Sequence, residues 1–165
     1  MSNNIKQELD QKILTKEQLE VQIQEWNLEG KKIVFTNGCF DIIHPGHIAY
    51  LSEAASLGDV LVIGVNTDQS VKKLKGENRP VNDEFSRSQL LAAMFFVDAV
   101  VFFNEDTPID LINAVRPDVL VKGGDYTIDS IVGAKETLDR DGEVKVLSFL
   151  PGYSSTAVIE KIKNY

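Results

Sequence analysis

Five short runs rich in β-branched and aromatic residues constrain this chain more than any other feature: Ile33–Phe35, Val60–Val65, Ala99–Phe103, Val119–Val121 and Val144–Leu147. Each is bounded by Gly, Asp, Asn or Pro, the punctuation expected of strands. Most are apolar throughout rather than alternating, as strands buried on both faces are. Stretches of helical character lie between them, near residues 46–57, 67–74, 84–96, 108–115, 130–140 and 155–163. Strands interleaved with helices predict a parallel sheet covered on both sides. The predicted fold class is α/β and Rossmann-like, with about five parallel strands and helices on both faces.

Residues 1–30 differ from the rest and predict a helical lead-in, followed by a domain over residues 31–165. Thr15-Lys16-Glu17-Gln18 matches a capping box, in which Thr15 caps a helix and Gln18 reaches back. Leu19, Ile23 and Trp26 then fall on one stripe, and Gly30 is a stop signal. The formal net charge of −8 excludes broad binding of nucleic acid or anionic membrane, since both need clustered positive charge. A single cysteine, Cys39, excludes an internal disulfide framework and suits a reducing compartment, so a cytoplasmic location is expected. No 18-residue apolar run and no signal-peptide pattern occur, so no membrane partner is expected.

In an open parallel sheet the ligand sits beyond the carboxyl ends of the strands. The segments to inspect are therefore Thr36-Asn37-Gly38-Cys39-Phe40-Asp41, Asn66-Thr67-Asp68, Asn104-Glu105-Asp106, Lys122-Gly123-Gly124-Asp125-Tyr126 and the run from Pro151 to Thr156. The chain's two histidines, His44 and His47, fall just after the first of these and flank Pro45-Gly46. Proline suits the first turn of a helix, so His47 is expected in that turn and His44 just before it. Three readings compete for this pair: capping or buried histidines, metal ligands together with Cys39 and Asp41, and donors to a nucleotide phosphate. The spacing fits no standard zinc pattern. Free N–H groups at a helix start favour a phosphate, and Gly46 lets one approach the backbone.

The span from Lys32 to Ile162 resembles the HxGH nucleotidyltransferase superfamily. Within it, TNGCFDIIHPGH, GVNTDQSVKKLKGENRPVN, TPIDLINAVRPDVLVKGGDY and IVGA are similar to the adenylyltransferase domain of heptose-phosphate enzymes. That resemblance implies transfer of AMP from ATP, as its magnesium complex, to a sugar 1-phosphate, with D-glycero-D-manno-heptose 1-phosphate expected. The product would be a nucleotide sugar for lipopolysaccharide, and pyrophosphate would leave. It implies His44, His47 and Lys75 as catalytic residues. Nucleotide contacts are expected from Thr36, Asn37, Gly38, Phe40, Gly46, Lys72, Arg79, Arg87, Lys122, Gly123, Ser154, Ser155 and Thr156. Asp41, Asn66, Asp68, Asp125 and Tyr126 are expected to meet the acceptor or support those that do. Asp68 is also a candidate helix cap, Ser154-Ser155-Thr156 an ordinary N-cap, and Arg87 a structural helix residue. No side chain is assigned as a direct metal ligand, although Asp125 is a candidate to help hold the magnesium nucleotide.

Such a reaction needs no enzyme nucleophile, because the attacking phosphate is already anionic; positioning and charge stabilisation suffice. Lys72 to Arg87 holds five basic residues against three acids, so the local sign there is positive despite the bulk charge. Glycerol-3-phosphate cytidylyltransferases share the HxGH pattern and form the rival reading, and a non-catalytic nucleotide-binding module is the second. Heptose enzymes often carry a fused sugar kinase; here Met1 leads to the expectation of a stand-alone protein with a separate kinase, and relatives lead to that of a homodimer.

Overall fold

The computed structural model describes residues 4–165. Six parallel strands form one sheet in the order β1-β4-β3-β2-β5-β6. They are β1 (Ile13–Leu14), β2 (Ile33–Gly38), β3 (Val60–Asn66), β4 (Ala99–Phe103), β5 (Val119–Gly123) and β6 (Glu143–Leu147). The expectation of about five strands is corrected to six. The extra one, β1, is only two residues long and carries none of the runs that signal a strand. It exists because Ile13 and Leu14 pair with Val100 and Val101 along the free edge of β4.

The helices are α1 (Ile5–Gln11), α2 (Lys16–Leu28), α3 (Pro45–Ala55), α4 (Asp68–Lys75), α5 (Glu84–Ala92), α6 (Ile109–Val115), α7 (Ala134–Leu138) and α8 (Ser155–Lys163). The single helix expected over 130–140 is instead a 3-10 turn at Ile128–Ser130 followed by α7. Gly133 separates them with φ +83, a left-handed conformation no regular helix passes through. In the lead-in, the Thr15 hydroxyl accepts from the Gln18 N–H and the Gln18 side chain accepts from the Thr15 N–H, closing the capping box of α2.

Two apolar layers sandwich the sheet, and the two-residue period of a strand explains which residue joins which. Ile33 and Phe35 of β2 join Leu19, Ile23 and Trp26 of α2 on one face. Val34, between them, joins Leu51 of α3 and Leu91 of α5 on the other. A repeated device sets the register at the strand starts. Asp59, Asp98 and Asp118, each just before a strand, accept the backbone N–H of Lys32, Leu61 and Ile33 at 2.7, 2.7 and 2.6 Å. For Asp98 burial outweighs those bonds and pushes its carboxyl above the usual range.

The strand order reverses at β2, whose neighbours are β3 on one side and β5 on the other. From β2 the chain winds outward through β3 and β4, then crosses back to β5. The helices leaving adjacent strand ends diverge there, and a crevice opens between the carboxyl ends of β2 and β5.

Leu19 is fully buried beneath the sheet, so Leu19→Ala should lower unfolding free energy by about 2–5 kcal/mol in urea titration. An unchanged midpoint would show that α2 contributes nothing to the core.

Candidate active site

β2 runs three residues further than its apolar stretch, because Thr36, Asn37 and Gly38 continue the ladder against Ile63, Gly64 and Val65 of β3. The chain then turns sharply at Phe40, whose φ of 48° is left-handed. His44 is the N-cap of α3, Pro45 occupies its first helical position and His47 lies in its first turn. Gly46 is held small by its surroundings: a Cβ there would meet the His44 ring at 3.0 Å and the Tyr153 Cβ at 3.3 Å.

A cavity of about 240 Å³ occupies the crevice. His47, Lys75, Lys122, Asn37 and Ser155 supply its polar wall, and Phe40, Tyr50, Tyr126 and Phe149 its aromatic one. Gly38, Asp41 and Gly123 also border it. At Gly123 a Cβ would strike the Phe149 ring at 2.6 Å, so glycine is what lets that ring close the cavity floor.

Charge in this cavity is unbalanced toward the positive. Neither Lys75 nor Lys122 forms an ion pair among the described residues. Lys122 has one polar partner, the Asn37 Oδ1 at 3.3 Å, and lies 5.7 Å from the Tyr126 ring centroid. Burial holds its pKa below the ordinary lysine value. The bordering carboxylate, Asp41, is already neutralised. It accepts from Arg79 Nε at 2.6 Å and from the N–H groups of Val81 and Asn82 at 2.8 and 2.9 Å. Burial pushes its pKa up, but the Asn82 and Val81 N–H groups and Arg79 outweigh that and hold it below the usual range.

The two histidines stack with ring centroids 3.8 Å apart and planes inclined by 25°. Nδ1 of each is buried without a partner. Burial first, then the nearby His44 and Lys75 charges, depress the pKa of His47 to about 4, and burial also lowers that of His44. Both imidazoles are therefore neutral near pH 7, and a neutral imidazole still offers one N–H to an anion.

Several expected residues lie elsewhere, each for a visible reason. His44 does not line the cavity; its ring is occupied between His47 and Tyr153. Thr36 is fully buried, its hydroxyl sharing a hydrogen bond with that of Tyr50. Arg87, expected on phosphate, is 0% exposed, and its three nitrogens donate to Asn82 O, Cys39 O and Asp68 Oδ1 at 3.1, 2.6 and 2.8 Å. Asp68 pairs with Arg87 and does not cap α4; Thr67 does, accepting from the Ser70 N–H. Asn66 is buried and spends its amide on Ser70 Oγ at 2.9 Å. Lys72 faces a separate shallow groove beside Gln69 and Asn104. Arg79 is held by Asp41 outside the cavity lining, with one guanidinium nitrogen, Nη2, buried and unpartnered.

At the last helix, Ser154 is the N-cap, accepting from the Ala157 N–H, while Ser155 reaches the cavity and donates to Ile42 O at 3.1 Å. Thr156 and Asp125 are exposed and border no part of the cavity. Tyr50 and Phe149 were not legible as site residues, since both sit in apolar patterns that read as core. Burial pushes the Tyr50 hydroxyl up to about 12, which marks it as a wall rather than an acid. Cys39 also lines the cavity, its thiol 3.8 Å from Asn66 Oδ1.

The residues do not fit a resident metal ion. Among the described residues no three His, Cys, Asp or Glu side chains cluster as ligands, and Asp41 and Asp68 are each engaged by an arginine. Magnesium in such a site would be held by phosphates and water, its usual habit.

The crevice at the switch point thus brings lysines without carboxylate partners and a neutral histidine at a helix start to one cavity on an α/β fold, groups able to receive an anion. Residues 35–161 match the cytidylyltransferase-like family, and the chain belongs to it. It is 56% identical over 149 residues to the bifunctional protein HldE of Marinomonas sp. (strain MWYL1), covering 90% of this chain and 31% of that protein. It is 54% identical over 157 residues to the HldE of Campylobacter jejuni subsp. jejuni serotype O:2, covering 95% and 32%. The chain thus spans about a third of the length of these curated relatives. Among solved structures, a lipopolysaccharide core biosynthesis protein from Thermoplasma volcanium GSS1 superposes with TM-score 0.59 at 31% identity, covering 73% of this chain and 98% of that one. Pantoate-β-alanine ligase from Francisella tularensis shares the fold, with TM-score 0.62 at 17% identity over 93% and 78%.

The depressed His47 pKa has a definite consequence for stability. The unfolded imidazole protonates near 6.5 and the folded one near 4, so the contribution is intact above pH 6.5 and is lost as pH falls toward 4. A proton NMR titration of the His47 ring should show a midpoint near 4; a midpoint at or above 6.5 would contradict its burial.

Proposed function

We propose that this chain transfers the AMP group of ATP to a sugar 1-phosphate, D-glycero-D-manno-heptose 1-phosphate being the favoured acceptor. A phosphate oxygen of the acceptor attacks the α-phosphorus in line, the bond to the β-phosphate oxygen breaks, and pyrophosphate leaves. The observation that carries this reading is the pair of lysines without carboxylate partners, Lys75 and Lys122, lining one cavity together with neutral His47. The choice of acceptor rests on similarity to the HldE proteins and to the lipopolysaccharide core biosynthesis protein. Magnesium enters with the ATP as part of the substrate.

Each residue has a role that its surroundings permit. His47 donates one N–H to a phosphate oxygen as negative charge gathers there in the transition state. With its pKa lowered to about 4, the ring is neutral and only weakly basic, and its part is that of a hydrogen-bond donor. Lys75, at the end of α4, neutralises the departing pyrophosphate, and Ser155 and the α8 N-terminus add donors. His44 keeps the His47 ring in its plane by stacking on it. Arg87 carries no substrate; it holds the Cys39 carbonyl and the Asn82 carbonyl so that the loops after β2 and before α5 keep their places.

His47→Ala should lower the single-turnover rate about 10²-fold or more, as removal of an oxyanion donor does. An unchanged rate would remove His47 from the chemistry. Pyrophosphate release should be measured with ATP and CTP against heptose 1-phosphate and glycerol 3-phosphate. Turnover confined to ATP with heptose 1-phosphate is expected. Preference for CTP with glycerol 3-phosphate would transfer the assignment to a cytidylyltransferase. ATP binding without pyrophosphate release from any pair would leave a non-catalytic module.

A further inference from the structure

β2 and β5 flank the crevice, yet their ladder joins only Val34 to Val119 and Phe35 to Leu120. The strand ends that reach the cavity lie beyond the last pair: Thr36 and Asn37 on β2, Lys122 and Gly123 on β5. Where two strands part, their backbone groups lose their partners, and a buried N–H left alone costs free energy. The Gly124 N–H donates to Leu147 O of β6 at 3.0 Å, and successive N–H groups along a strand point to opposite neighbours. That of Gly123 therefore points toward β2, where the ladder has ended.

Tyr50 closes this gap. It is a buried residue of α3, nearly one helical turn after His47. Its hydroxyl shares a hydrogen bond with the fully buried Thr36 hydroxyl of β2. Its ring lies so close to Gly123 that a Cβ there would stand 3.0 Å from Tyr50 Cε2, and the Phe149 ring packs edge-on against it at 6.0 Å. Burial raises the hydroxyl pKa to about 12, against the opposing pull of the Thr36 hydrogen bond and of the Gly123 N–H. Near neutral pH the hydroxyl thus keeps its proton and can both donate and accept.

The two-residue period of a strand puts Thr36 on the sheet face of Val34 and Tyr50, and Asn37 on the opposite face with Phe35. From that opposite face Asn37 and Lys122 span the same gap, at 3.3 Å. The parted strand ends are therefore held on both faces, and the two ties are neighbours in sequence: Thr36 precedes Asn37, and Gly123 follows Lys122. Only the Tyr50 tie also includes the helix that carries His47.

We infer that Tyr50 is a positioning residue for the transfer reaction: its hydroxyl, set between Thr36 of β2 and the Gly123 backbone of β5, fixes the helix turn carrying His47 to the strand ends carrying Asn37 and Lys122. This rests on the nucleotidyl-transfer reading above. Tyr50 acts through these residues and not on a reacting atom. It sets the separation between a neutral donor and a charged one, so that both meet the same phosphates. The role belongs to the hydroxyl, because a ring without it would fill the same space and tie nothing.

Tyr50→Phe keeps the ring and removes the hydroxyl. It should slow single-turnover AMP transfer about tenfold or more and leave the calorimetric Kd for ATP within about threefold, since misalignment costs rate while the lysines still attract the nucleotide. Thr36→Val removes the partner hydroxyl and should do the same, with the double variant no slower than the slower single one, as one shared contact requires. Leu51→Val, a fully buried α3 residue outside the cavity, controls for lost stability, and its rate should be unchanged. In the unsubstituted protein the Gly123 amide should be protected from hydrogen exchange as well as that of Gly124, a readout independent of any variant's folding. An unchanged rate in Tyr50→Phe, losses that multiply in the double variant, equal slowing by Leu51→Val, or a loss of ATP affinity as large as the loss of rate would each overturn the inference. A Gly123 amide that exchanges as fast as an open loop would do so as well. Absence of turnover in the unsubstituted protein would instead overturn the nucleotidyl-transfer reading, while turnover that Tyr50→Phe leaves intact overturns the positioning role alone.

Discussion

Asp41 lies on the loop after β2, its side chain only 1% exposed, and so must find compensation inside the protein. It finds it in Arg79 and in the N–H groups of Val81 and Asn82, while its own carbonyl accepts from the Asn82 side chain at 2.7 Å. That carboxylate therefore fastens the loop following the first central strand to the loop that leads into α5. Arg87 repeats the tie from the opposite side, with its guanidinium buried between Cys39 O, Asn82 O and Asp68. Two buried charges of opposite sign thus hold three loops that the sheet alone would leave independent. Residues that line the cavity inherit their places from this arrangement, because Phe40 borders Asp41 in sequence and Lys75 ends the helix that Asp68 begins. Removing one partner of such a network strands the other in low dielectric, which costs more than the bond itself contributes.

The strands and helices were legible because their signals are local. Five apolar runs named five strands, the capping box at Thr15–Gln18 named the start of α2, and Pro45 named the start of α3. β1 was not legible, because two residues carry no period and their strand character comes from the edge of β4. The same distinction divides the site. Asn37 and Lys122 lie at the carboxyl ends of strands and His47 and Ser155 in the first turns of helices, so the fold itself directs them to the crevice, while Lys75 reaches it from the end of α4. Arg87 and Asp68 are charged residues in helices near that crevice, and sequence alone gives no means of telling a ligand contact from a buried pair. Tyr50 and Phe149 failed in the other direction: an aromatic residue on a helix or after a strand reads as core until the cavity wall it forms is seen.

The bulk charge and the site charge have opposite signs, and the geometry explains how both hold. A net charge of −8 is spread over exposed acids, Glu8, Asp10, Glu17, Glu20 and Glu25 of α1 and α2 among them, none of which lines the crevice. Within the crevice the one bordering carboxylate is cancelled by Arg79, leaving Lys75 and Lys122 without partners. Long-range repulsion of a polyanion and local attraction of a triphosphate are thus compatible, since screening confines the bulk effect to about 8–10 Å at ordinary ionic strength.

Leaving a lysine such as Lys122 half-buried without a carboxylate costs stability, and the cost is informative. A protein built only for stability would place an acid beside it or move it into water. Here the nearest acceptor is the neutral amide of Asn37, itself held on β2 by pairing with β3. A neutral partner fixes the ammonium without cancelling its charge, so the full attraction remains for an arriving anion. The switch point is what makes this affordable: β2 and β5 are central strands buried on both faces and pair at Val34–Val119 and Phe35–Leu120, so Asn37 and Lys122 extend just past the paired residues to the edge of the open crevice. The same logic accounts for His47, whose burial removes its charge but not its N–H. One group offers an anion attraction by charge and the other a donor fixed in direction, and an acid beside them would have made the folded state more stable by occupying both.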